Sequence, residues 1–346
     1  MLLILGFGII YGMHKIPTHY FKGLSIIALP VVILLLIYTL AQGTTIEGAN
    51  ASRWIHLPVV GITFQTSNLA AVALMIYVAR YLSKIRDRRI SFRESIIPLW
   101  LPVSVILLLI LPANFSTAAI LFVMVLTLCF LGGYPLKYLI GIVVSGVAVL
   151  ALFVLLAKAI PDVFPNRVDT WMSRVEHYWD GTDGVGDYQI EKAKIAIASG
   201  GVMGNGAGKS VMKNFLPQSS SDFIYAIIVE EYGLVGGFLL MFLYLLLLFR
   251  IVVVANANTS VFGKLVVMGV GLPIIFQALI NMAVAVELFP VTGQTLPLIS
   301  SGGTSIWMTC MAIGVVLCAS RTPRMDEEVT DKNKVENPLE VVSGQR

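Results

Sequence analysis

The sequence predicts an all-α, polytopic integral membrane protein with about nine transmembrane helices and one long extracytoplasmic loop. Hydrophobic residues make up 57% of the chain and charged residues only 13%, whereas soluble domains are about one quarter charged. The mean hydropathy is +0.85. The apolar residues also fall into blocks near the roughly 20 residues that a helix needs to cross a bilayer. Together these observations exclude a soluble domain.

The apolar blocks give the predicted spans in chain order, which are 1–13, 24–41, 60–82, 97–112, 115–132, 137–157, 223–249, 264–288 and 304–320. The first block would extend only about 20 Å as a helix, which is less than a hydrocarbon core of roughly 30 Å. It lacks the charged segment and the small-residue cleavage site of a signal peptide. We therefore expect the chain to lack about one span at its N-terminus.

The distribution of cations predicts the orientation of the bundle. The Lys- and Arg-rich segments are 14–23, 80–96, 133–138, 250–264 and the tail from Arg321. They hold 16 of the 24 basic residues, whereas the short loops on the other side contain only Arg53. Because short cytoplasmic loops carry an excess of Lys and Arg, we expect the C-terminus in the cytoplasm. Topology therefore accounts for the net charge of +4, which does not indicate a nucleic-acid partner.

The spans and their connections form one predicted transmembrane domain, residues 1–320, with a long external loop at about 158–222. This loop mixes cations with aromatic residues, a composition that suits an amphipathic element on the outer leaflet. The remaining residues, 321–346, are polar and charged. We expect them to form a disordered cytoplasmic tail.

The stretch from Gly200 to Gly237, GGVMGNGAGKSVMKNFLPQSSSDFIYAIIVEEYGLVGG, contains the most informative local pattern. It opens with closely spaced glycines, continues through Lys209 and Lys213, and enters an apolar helical segment at Asp222. Asp is a preferred N-cap residue because its carboxylate accepts hydrogen bonds from free backbone N–H groups. Asp222 can therefore cap this helix, or it can be a reactive carboxylate that faces a polar cavity.

The acidic residues inside the predicted spans are Glu230, Glu231 and Glu287. Such side chains are costly in lipid and usually face a cavity or a partner helix. On a helix that begins at Asp222, Glu230 lies about 80° around the axis and roughly 12 Å deeper, and Glu231 lies on the opposite face. We expect one glutamate to share a cavity with Asp222 and the other to brace a neighbouring helix. Glu287 lies near the end of its span, close to Asn281, so the four acids are predicted to converge; structural hydrogen bonding is the alternative for each.

Two external loops are unusual. One contains Arg53 directly before Trp54, a residue that by itself is most simply an anchor at the membrane interface. The other runs from Pro290 to Ser305, is polar and broken by glycine, and includes Gln294 and Ser301. A polar run of this kind between two spans is expected only where the backbone lines a cavity or is covered by protein.

Three segments resemble the signatures of the SEDS family (shape, elongation, division and sporulation), which includes RodA and FtsW. They are YQIEKAKIAIASGGVMGNGAGKS, FLPQSSSDFIYAIIVEEYGLVG and FPVTGQTLPLISSGGTS. With the loop around Arg53, the likeness extends from Met1 to about Ser320. The family has ten spans, and alignment by motif starts this chain in the second, in agreement with its short first block. General likeness favours FtsW over RodA.

The resemblance implies a peptidoglycan glycosyltransferase that polymerises lipid II into β-1,4-linked glycan strands during cell division or elongation. It would act on the external side of the bacterial cytoplasmic (inner) membrane. The essential aspartate of the family, in a Thr-Asp-Phe motif, falls on Asp222, which here follows Ser221 and precedes Phe223. The resemblance therefore implies that Asp222 is a general base, or a carboxylate that positions a divalent cation such as Mg²⁺ or Mn²⁺.

The remaining site candidates fall into two groups. The expected substrate-binding residues are Arg53, Trp54, Gln189, Lys209, Lys213, Gln294 and Ser301, and the expected supporting residues are Glu230, Glu231, Glu287 and Asn281. The cations of the first group can neutralise a diphosphate leaving group. The implied partners are lipid II, undecaprenyl-diphosphate-linked glycan, a class B penicillin-binding protein that acts as transpeptidase, and other proteins of the division or elongation complex.

The chain departs from the family pattern at two places. Residues 65–68 read Gln-Thr-Ser-Asn and residue 71 is Ala, where the family usually has Gln-Pro-(Ser or Ala)-Glu followed by Lys. Residues 113–114 read Ala-Asn, where the family has Pro-Asp after the apolar run. Both changes remove charge from the spans, so we expect an intramembrane ion pair to be absent.

Two other function classes stay open at this point. A lipid II flippase would use a charged cavity to move a diphosphate head group across the bilayer, but transporters commonly contain internal repeats, and none is visible in the sequence. A non-catalytic scaffold would recruit a transpeptidase and would tolerate the loss of Asp222.

Overall fold

Membrane-length helices form most of the computed structural model, which describes residues 2–42, 54–57, 62–86, 88, 90–159, 185–216, 219–301 and 304–336. The helices are α1 (Leu2–Lys15), α2 (Thr18–Gln42), α3 (Thr66–Ile85), α4 (Phe92–Ser95), α5 (Leu101–Ile110), α6 (Phe115–Leu131), α7 (Leu136–Ala159), α8 (Val185–Gly200), α9 (Ile224–Ala257), α10 (Val261–Ala285) and α11 (Thr304–Glu336). A π-helical turn (Ile96–Trp100) joins α4 to α5, and a 3₁₀ turn (Met212–Asn214) precedes α9.

Within the described residues, six helical segments are long and apolar enough to cross a membrane, which confirms the prediction of a helical, multi-pass membrane protein. They are Thr18–Ala41, Thr66–Ile85, Phe92–Ile110, Ile224–Ala257, Val261–Ala285 and Thr304–Arg321. Phe115–Leu131 and Leu136–Leu152 are shorter apolar helices. Each predicted block has a helical counterpart, and the first, α1, contains 14 residues. The number of nine spans stays a prediction.

A two-stranded hairpin before α3 corrects the predicted span 60–82. Strands β1 (Trp54–Leu57) and β2 (Ile62–Gln65) pair antiparallel, with Trp54 opposite Gln65. The strands are rich in β-branched and aromatic residues, which favour β structure, and a segment with Pro at its start and Gly at its end separates them. Helix α3 therefore begins at Thr66, six residues later than predicted.

Helix α10 is the central helix of the bundle. Of its most apolar window, 67% is buried inside the protein, compared with 22% for α9. Two glycines on α10 allow neighbouring helices to approach closely, as small residues do in membrane bundles. A Cβ at Gly269 would lie 3.0 Å from the Leu128 side chain of α6, and one at Gly271 would lie 2.8 Å from Ile251 of α9.

The connections between helices lie in two layers at opposite ends of the bundle. At one end, the Gln65 backbone N–H donates to Thr304 Oγ1 (3.2 Å); at the other, Asn258 Nδ2 donates to the Ala319 carbonyl (2.8 Å). Because successive helices alternate in direction, the first layer also contains Asp222, and we call it the Asp222 end. The opposite end contains the connections α1–α2, α3–α4, α6–α7 and α9–α10.

Helix α11 extends past residue 320, where the sequence predicted the end of the transmembrane domain, and continues through Glu336. An existing helix extends without a new nucleation cost, and the Glu and Lys residues after Arg324 favour helix. The boundary at residue 320 and the disordered tail over 321–346 stay predictions. Residues 337–346 lie outside the described part of the chain.

Candidate active site

The glycine-rich loop after α8 wraps around a break in α9. Gly233 has φ 70° and ψ −173°, which interrupts the helix and frees backbone groups from their usual partners. The loop satisfies these groups: the Leu234 N–H donates to the Gly201 carbonyl (2.9 Å), and the Asn205 N–H donates to the Glu230 carbonyl (3.0 Å). Broken helices are tolerated at membrane depth only where protein supplies such partners. The loop and the head of α9 therefore form one unit.

The glycines of this loop are required by close backbone approach. A Cβ at Gly200 would lie 2.1 Å from the Val229 carbonyl oxygen, and one at Gly204 would lie 2.3 Å from the Glu231 carbonyl oxygen. Both distances are far shorter than real contacts. The loop can therefore pack this closely on α9 only with glycine at both positions.

Glu230 is buried in this unit. One of the two predicted arrangements placed it in a cavity shared with Asp222, but in the structure the loop encloses its side chain. Its side chain is 1% exposed. It accepts hydrogen bonds from the Ser210 hydroxyl and from the backbone N–H groups of Val211 (3.0 Å) and Met212 (3.2 Å). A buried carboxylate with three donors is stabilised in place. The helical-wheel argument placed Glu230 correctly on α9 but could not include the loop that folds back onto it.

Asp222 lies in the turn immediately before α9. The N-cap residue of the helix is Phe223, whose side chain is 1% exposed. Phe223 packs in a small apolar cluster with Ala193 and Ala196 of α8 and Val284 of α10. Asp222 itself is half-exposed. The buried Phe223 therefore anchors the turn, and the neighbouring Asp222 remains partly accessible at this end of the bundle.

Asn281 of α10 holds the backbone of this turn. Its Nδ2 atom donates to the Asp222 carbonyl (2.7 Å) and to the Gln294 carbonyl (2.7 Å). Gln294 Nε2 in turn donates to Thr117 Oγ1 (2.9 Å), and the Thr117 N–H donates to Asn114 Oδ1 (3.2 Å). One chain of hydrogen bonds thus connects the head of α6 with Asp222. Asn281 thus holds the backbone of the turn, and its supporting role in the reaction stays a prediction.

The loop between α10 and α11 adds a second set of contacts to the same turn. The Ser300 hydroxyl donates to the Ser221 carbonyl, and both the N–H and the hydroxyl of Ser301 donate to the Ser220 carbonyl (2.9 and 3.0 Å). The Tyr244 hydroxyl of α9 donates to the carbonyl of Pro297 in this loop. These bonds confirm that the polar run from Pro290 to Ser305 is covered by protein.

Two predicted substrate-binding residues of this loop are engaged in the scaffold. Gln294 is 9% exposed, and its amide and carbonyl both bond to neighbouring helices as described. Ser301 is exposed but uses its hydroxyl on Ser220. Gly293, with φ +62°, lies beside Asp222, where an added Cβ would be 3.5 Å from Asp222 Oδ2. The missing side chain leaves space next to the carboxylate.

The loop lysines lie near the turn that contains Asp222. Lys209 and Lys213 are exposed, and Lys213 Nζ donates to the Gly208 carbonyl (3.1 Å). The Ser219 hydroxyl donates to the Lys213 carbonyl (3.1 Å), which connects the lysine-bearing loop to residues just before Asp222.

Glu287 differs from its predicted position inside a span. Helix α10 ends at Ala285, and Glu287 follows in a turn with φ 60°. Its carboxylate pairs with Lys194 Nζ of α8 at 2.7 Å, with both side chains about half exposed (45% and 51%). The loop and Lys194 thus provide partners for the carboxylates of Glu230 and Glu287, and the convergence of the four acids stays a prediction.

The remaining candidates are placed as follows. Trp54 lies in β1 and Gln189 on α8, and both are half-exposed. Glu231 is half-exposed, and its backbone carbonyl accepts from the Gly206 N–H (2.9 Å). Arg53 lies outside the described residues. Across the described ranges, no group of three or more His, Cys, Asp or Glu side chains could hold a metal ion.

Sequence reasoning missed Thr117 and Ser300, which connect loops to the Asp222 turn. It treated Asn114 only as a departure from the family, although Asn is a preferred N-cap and here caps α6. The substituted segment 65–68 likewise forms a neutral network, in which Asn68 Nδ2 donates to Gln65 Oε1 (3.2 Å). For Asn114, the available signal was an Asn directly before an apolar helix.

Comparison with known proteins gives consistent matches. A family model described as a cell cycle protein, and named for FtsW, RodA and SpoVE, matches residues 1–325. The probable peptidoglycan glycosyltransferase FtsW of Marinomonas mediterranea is 33% identical over 324 residues, covering 91% of this chain and 76% of that protein. Its counterpart from Thiomicrospira cyclica is 36% identical over 293 residues, covering 82% and 71%.

Solved structures show the same fold. One, described as the structural coordination of polymerization and crosslinking by a peptidoglycan synthase complex, matches with a TM-score of 0.71 and 26% identity, covering 93% of this chain and 88% of that one. The rod shape determining protein RodA of Thermus thermophilus matches with a TM-score of 0.65 and 26% identity, covering 92% and 85%. With the family model over nearly the whole chain, these matches show that the chain belongs to the FtsW, RodA and SpoVE family of cell cycle proteins, the SEDS family that its motifs resemble.

Proposed function

We propose that this chain is a peptidoglycan glycosyltransferase that polymerises lipid II, with Asp222 as the general base. The names of its FtsW relatives support the activity. The observation that carries the role of Asp222 is its position: the aspartate is half-exposed, its backbone carbonyl is held by Asn281, and Gly293 leaves space beside Oδ2. A fixed backbone with an accessible carboxylate suits a base that must meet a substrate hydroxyl.

The proposed reaction is a single displacement. The 4-hydroxyl of the acceptor sugar attacks the anomeric carbon of the donor, and its proton passes to the Asp222 carboxylate. The new O4–C1 bond forms as the bond from C1 to the lipid diphosphate breaks, and the diphosphate leaves as an anion. This step converts an α-linked donor into a β-1,4 product, so the enzyme is inverting and needs no carboxylate nucleophile.

Cations near the turn would stabilise the leaving diphosphate. Lys209 and Lys213 are exposed in the loop that is bonded to Ser219, and Arg53 is the lone cation of the short external loops. We assign these three residues to the diphosphate, because preorganised positive charge is most effective where negative charge develops in the transition state. Trp54 and Gln189 are proposed to contact the rest of the substrate.

A divalent cation fits this site only where substrate phosphates complete its set of ligands. The described residues provide no cluster of three ligating side chains, but Mg²⁺ is commonly held by one or two carboxylates together with substrate phosphates. Asp222 would provide the protein carboxylate for such an ion, Mg²⁺ or Mn²⁺, which would neutralise charge on the diphosphate when bound.

The proposed setting is the bacterial cytoplasmic (inner) membrane, with the Asp222 end outside and the C-terminus in the cytoplasm. The excess of Lys and Arg in the connections at the opposite end supports this orientation. The proposed partner is a class B penicillin-binding protein that crosslinks the product, together with other division or elongation proteins. Support comes from the similar solved structure, which is described as a peptidoglycan synthase complex.

The test is polymerisation of labelled lipid II by the purified protein, with and without a partner transpeptidase. Asn has nearly the shape of Asp, and the N-cap residue of α9 is Phe223, so Asp222→Asn should fold normally while polymerisation falls by roughly 10²–10⁴-fold, as for a lost general base. Asp222→Glu should retain partial activity at most, because placement controls rate.

Glu191→Gln is the matched control, since Glu191 is an exposed acid of α8 with no assigned role, and its activity should be normal. Thermal unfolding in detergent verifies the folding of each variant. Normal polymerisation by folded Asp222→Asn would contradict the proposal and favour a scaffold. Lipid II movement across vesicles without polymerisation would favour a flippase.

A further inference from the structure

A pocket at the opposite end of the bundle has a chemistry that the polymerase site does not use. It is an open cavity of about 390 Å³ between the connection that follows α3 and the connection from α6 to α7. Its lining residues are Ile85, Arg86, Arg88, Ile90, Gly132, Gly133, Tyr134, Pro135, Lys137 and Tyr138. Three cations thus share one concave surface, and none of these ten described lining residues is acidic.

The charges of these cations remain available. Arg86, Arg88 and Lys137 are exposed, and within the described ranges no carboxylate forms an ion pair with any of them. Lys137 Nζ lies 4.8 Å from the centre of the Tyr138 ring, a contact that orients the ammonium group without neutralising it. The nearby Glu94 accepts from the Ser91 N–H in a capping box. By sequence, residues 86–89 read Arg-Asp-Arg-Arg, so this connection together with Lys137 carries a net positive charge that can attract an anion.

The wall of the pocket is rigid. The Tyr134 hydroxyl bonds with Ser95 Oγ (2.5 Å) and accepts from Trp100 Nε1 (3.1 Å). Tyr134 and Trp100 are both buried, and their rings meet edge to face with centroids 6.0 Å apart. Side chains of α4 and of the π-helical turn thus fix the connection from α6 to α7. A pocket whose shape is already set loses little conformational entropy when a ligand binds.

The pocket lies far from Asp222. Helix α3 begins beside the Thr304 contact at the Asp222 end and reaches the pocket at Ile85 after 20 residues, a rise of about 30 Å. This is the thickness of a hydrocarbon core, so the pocket meets the head-group layer of the other leaflet. A diphosphate bound for reaction at Asp222 cannot reach it.

We propose that this pocket binds the phosphate of an anionic phospholipid head group in the leaflet opposite the Asp222 end. An Arg guanidinium group can donate two parallel hydrogen bonds to two oxygens of one phosphate, and a neighbouring Lys adds a point charge. Basic pockets between membrane helices are suited to such head groups. The apolar residues Ile85 and Ile90 at the pocket edge lie where the glycerol and the first acyl carbons would begin.

The experiment measures lipid binding to the purified full-length protein in neutral detergent by native mass spectrometry, with phosphatidylglycerol and phosphatidylcholine as probes. The pocket variant is Arg86→Gln, Arg88→Gln and Lys137→Gln combined. The matched control is Lys84→Gln, Arg250→Gln and Lys264→Gln combined, three basic residues outside the pocket lining. The pocket variant should bind phosphatidylglycerol on the order of 100-fold more weakly, at about 1 kcal/mol for each cation near an anionic surface, and the control should change by less than threefold.

Glycerol 3-phosphate as a competitor separates a lipid from a soluble source of the same phosphate. Competition at concentrations similar to those of the lipid would assign the pocket to a soluble phosphate ester; weak competition supports the lipid. Equal loss in both triple variants, or equal binding of phosphatidylcholine, would overturn the proposal. If the pocket variant unfolds, a photoreactive phosphatidylglycerol on the wild-type protein decides: labelling confined to residues 85–90 and 132–138 supports the site, and labelling elsewhere refutes it.

Discussion

Two carboxylates at the head of α9 have opposite surroundings. Glu230 is 1% exposed, and its side chain accepts three hydrogen bonds from the loop that follows α8. Asp222, eight residues earlier, is half-exposed, and Asn281 holds it by its backbone carbonyl. The loop thus encloses the carboxylate of Glu230, whereas Asp222 remains half-exposed on a turn whose backbone Asn281 holds. We infer that Glu230 maintains the fold and that Asp222 performs the chemistry.

Removal of the buried carboxylate is the most direct test of the different roles inferred for Glu230 and Asp222. Glu230→Ala leaves the Ser210 hydroxyl and two backbone N–H groups without their acceptor, at about 1–3 kcal/mol for each unsatisfied group. We expect the unfolding temperature in detergent to fall by on the order of 10 °C. Polymerisation should be lost together with the folded protein, and the remaining folded fraction should retain its activity.

Glu231→Ala is the control for that variant. Glu231 contacts the same loop through its backbone carbonyl, a bond that the substitution preserves, so its unfolding temperature should stay close to that of the wild type. A stable Glu230→Ala protein with no activity would instead place Glu230 in the catalytic machinery and remove the contrast with Asp222.

The second prediction concerns the residue that holds Asp222. Asn281→Ala removes the donor to the Asp222 and Gln294 carbonyls. A displacement of about 1 Å at a catalytic group can cost 10²-fold, so polymerisation should fall roughly 10- to 100-fold while the protein remains folded. Gln277→Ala is the control: Gln277 lies one turn earlier on α10 and donates to Thr295 in the same loop, but it does not contact Asp222. Equal losses in both variants would show that the loop as a whole, rather than the turn at Asp222, sets the rate.

The sequence predicted the helices better than the site. Apolar blocks of spanning length specify helices almost by themselves, and every predicted block became helical. The hairpin at Trp54–Gln65 was missed because its apolar residues merge with the start of the next span in the hydropathy pattern. The motifs and the local change from loop to helix were sufficient to identify Asp222 as the central candidate.

The contacts of the site depend on residues far apart in sequence. Ser210 meets Glu230 across 20 positions, and Gln294 meets Thr117 across 177 positions. A helical wheel describes one straight helix, so it could not show that a loop would enclose Glu230. Lys194 was likewise read as part of an amphipathic segment, without a signal that it would pair with Glu287.

The third prediction tests the open space beside Asp222. Gly293→Ala introduces a Cβ at 3.5 Å from Asp222 Oδ2, an ordinary contact distance, at a residue with positive φ that costs roughly 1–2 kcal/mol for a non-glycine residue. Gly201→Ala carries similar strain at φ +55° with open space around its Cβ. We expect similar unfolding temperatures for both variants and several-fold slower polymerisation for Gly293→Ala alone. Equal activities would mean that substrate does not occupy the space beside Gly293.

The smallest effect is expected at Glu287, the acid that the sequence grouped with Asp222. Its pair with Lys194 is about half exposed on both sides, and surface pairs of this kind contribute only about 0–1 kcal/mol. Glu287→Gln removes the charge and keeps the size of the side chain, so polymerisation and unfolding temperature should both match the wild type. Glu287→Gly also removes the pair but relieves the left-handed backbone at φ 60°, so it should be no less stable than Glu287→Gln. A folded Glu287→Gln protein that lost polymerisation as strongly as Asp222→Asn would contradict this prediction. It would mean that the acids at this end act together, and that their positions relative to the loop do not decide their roles.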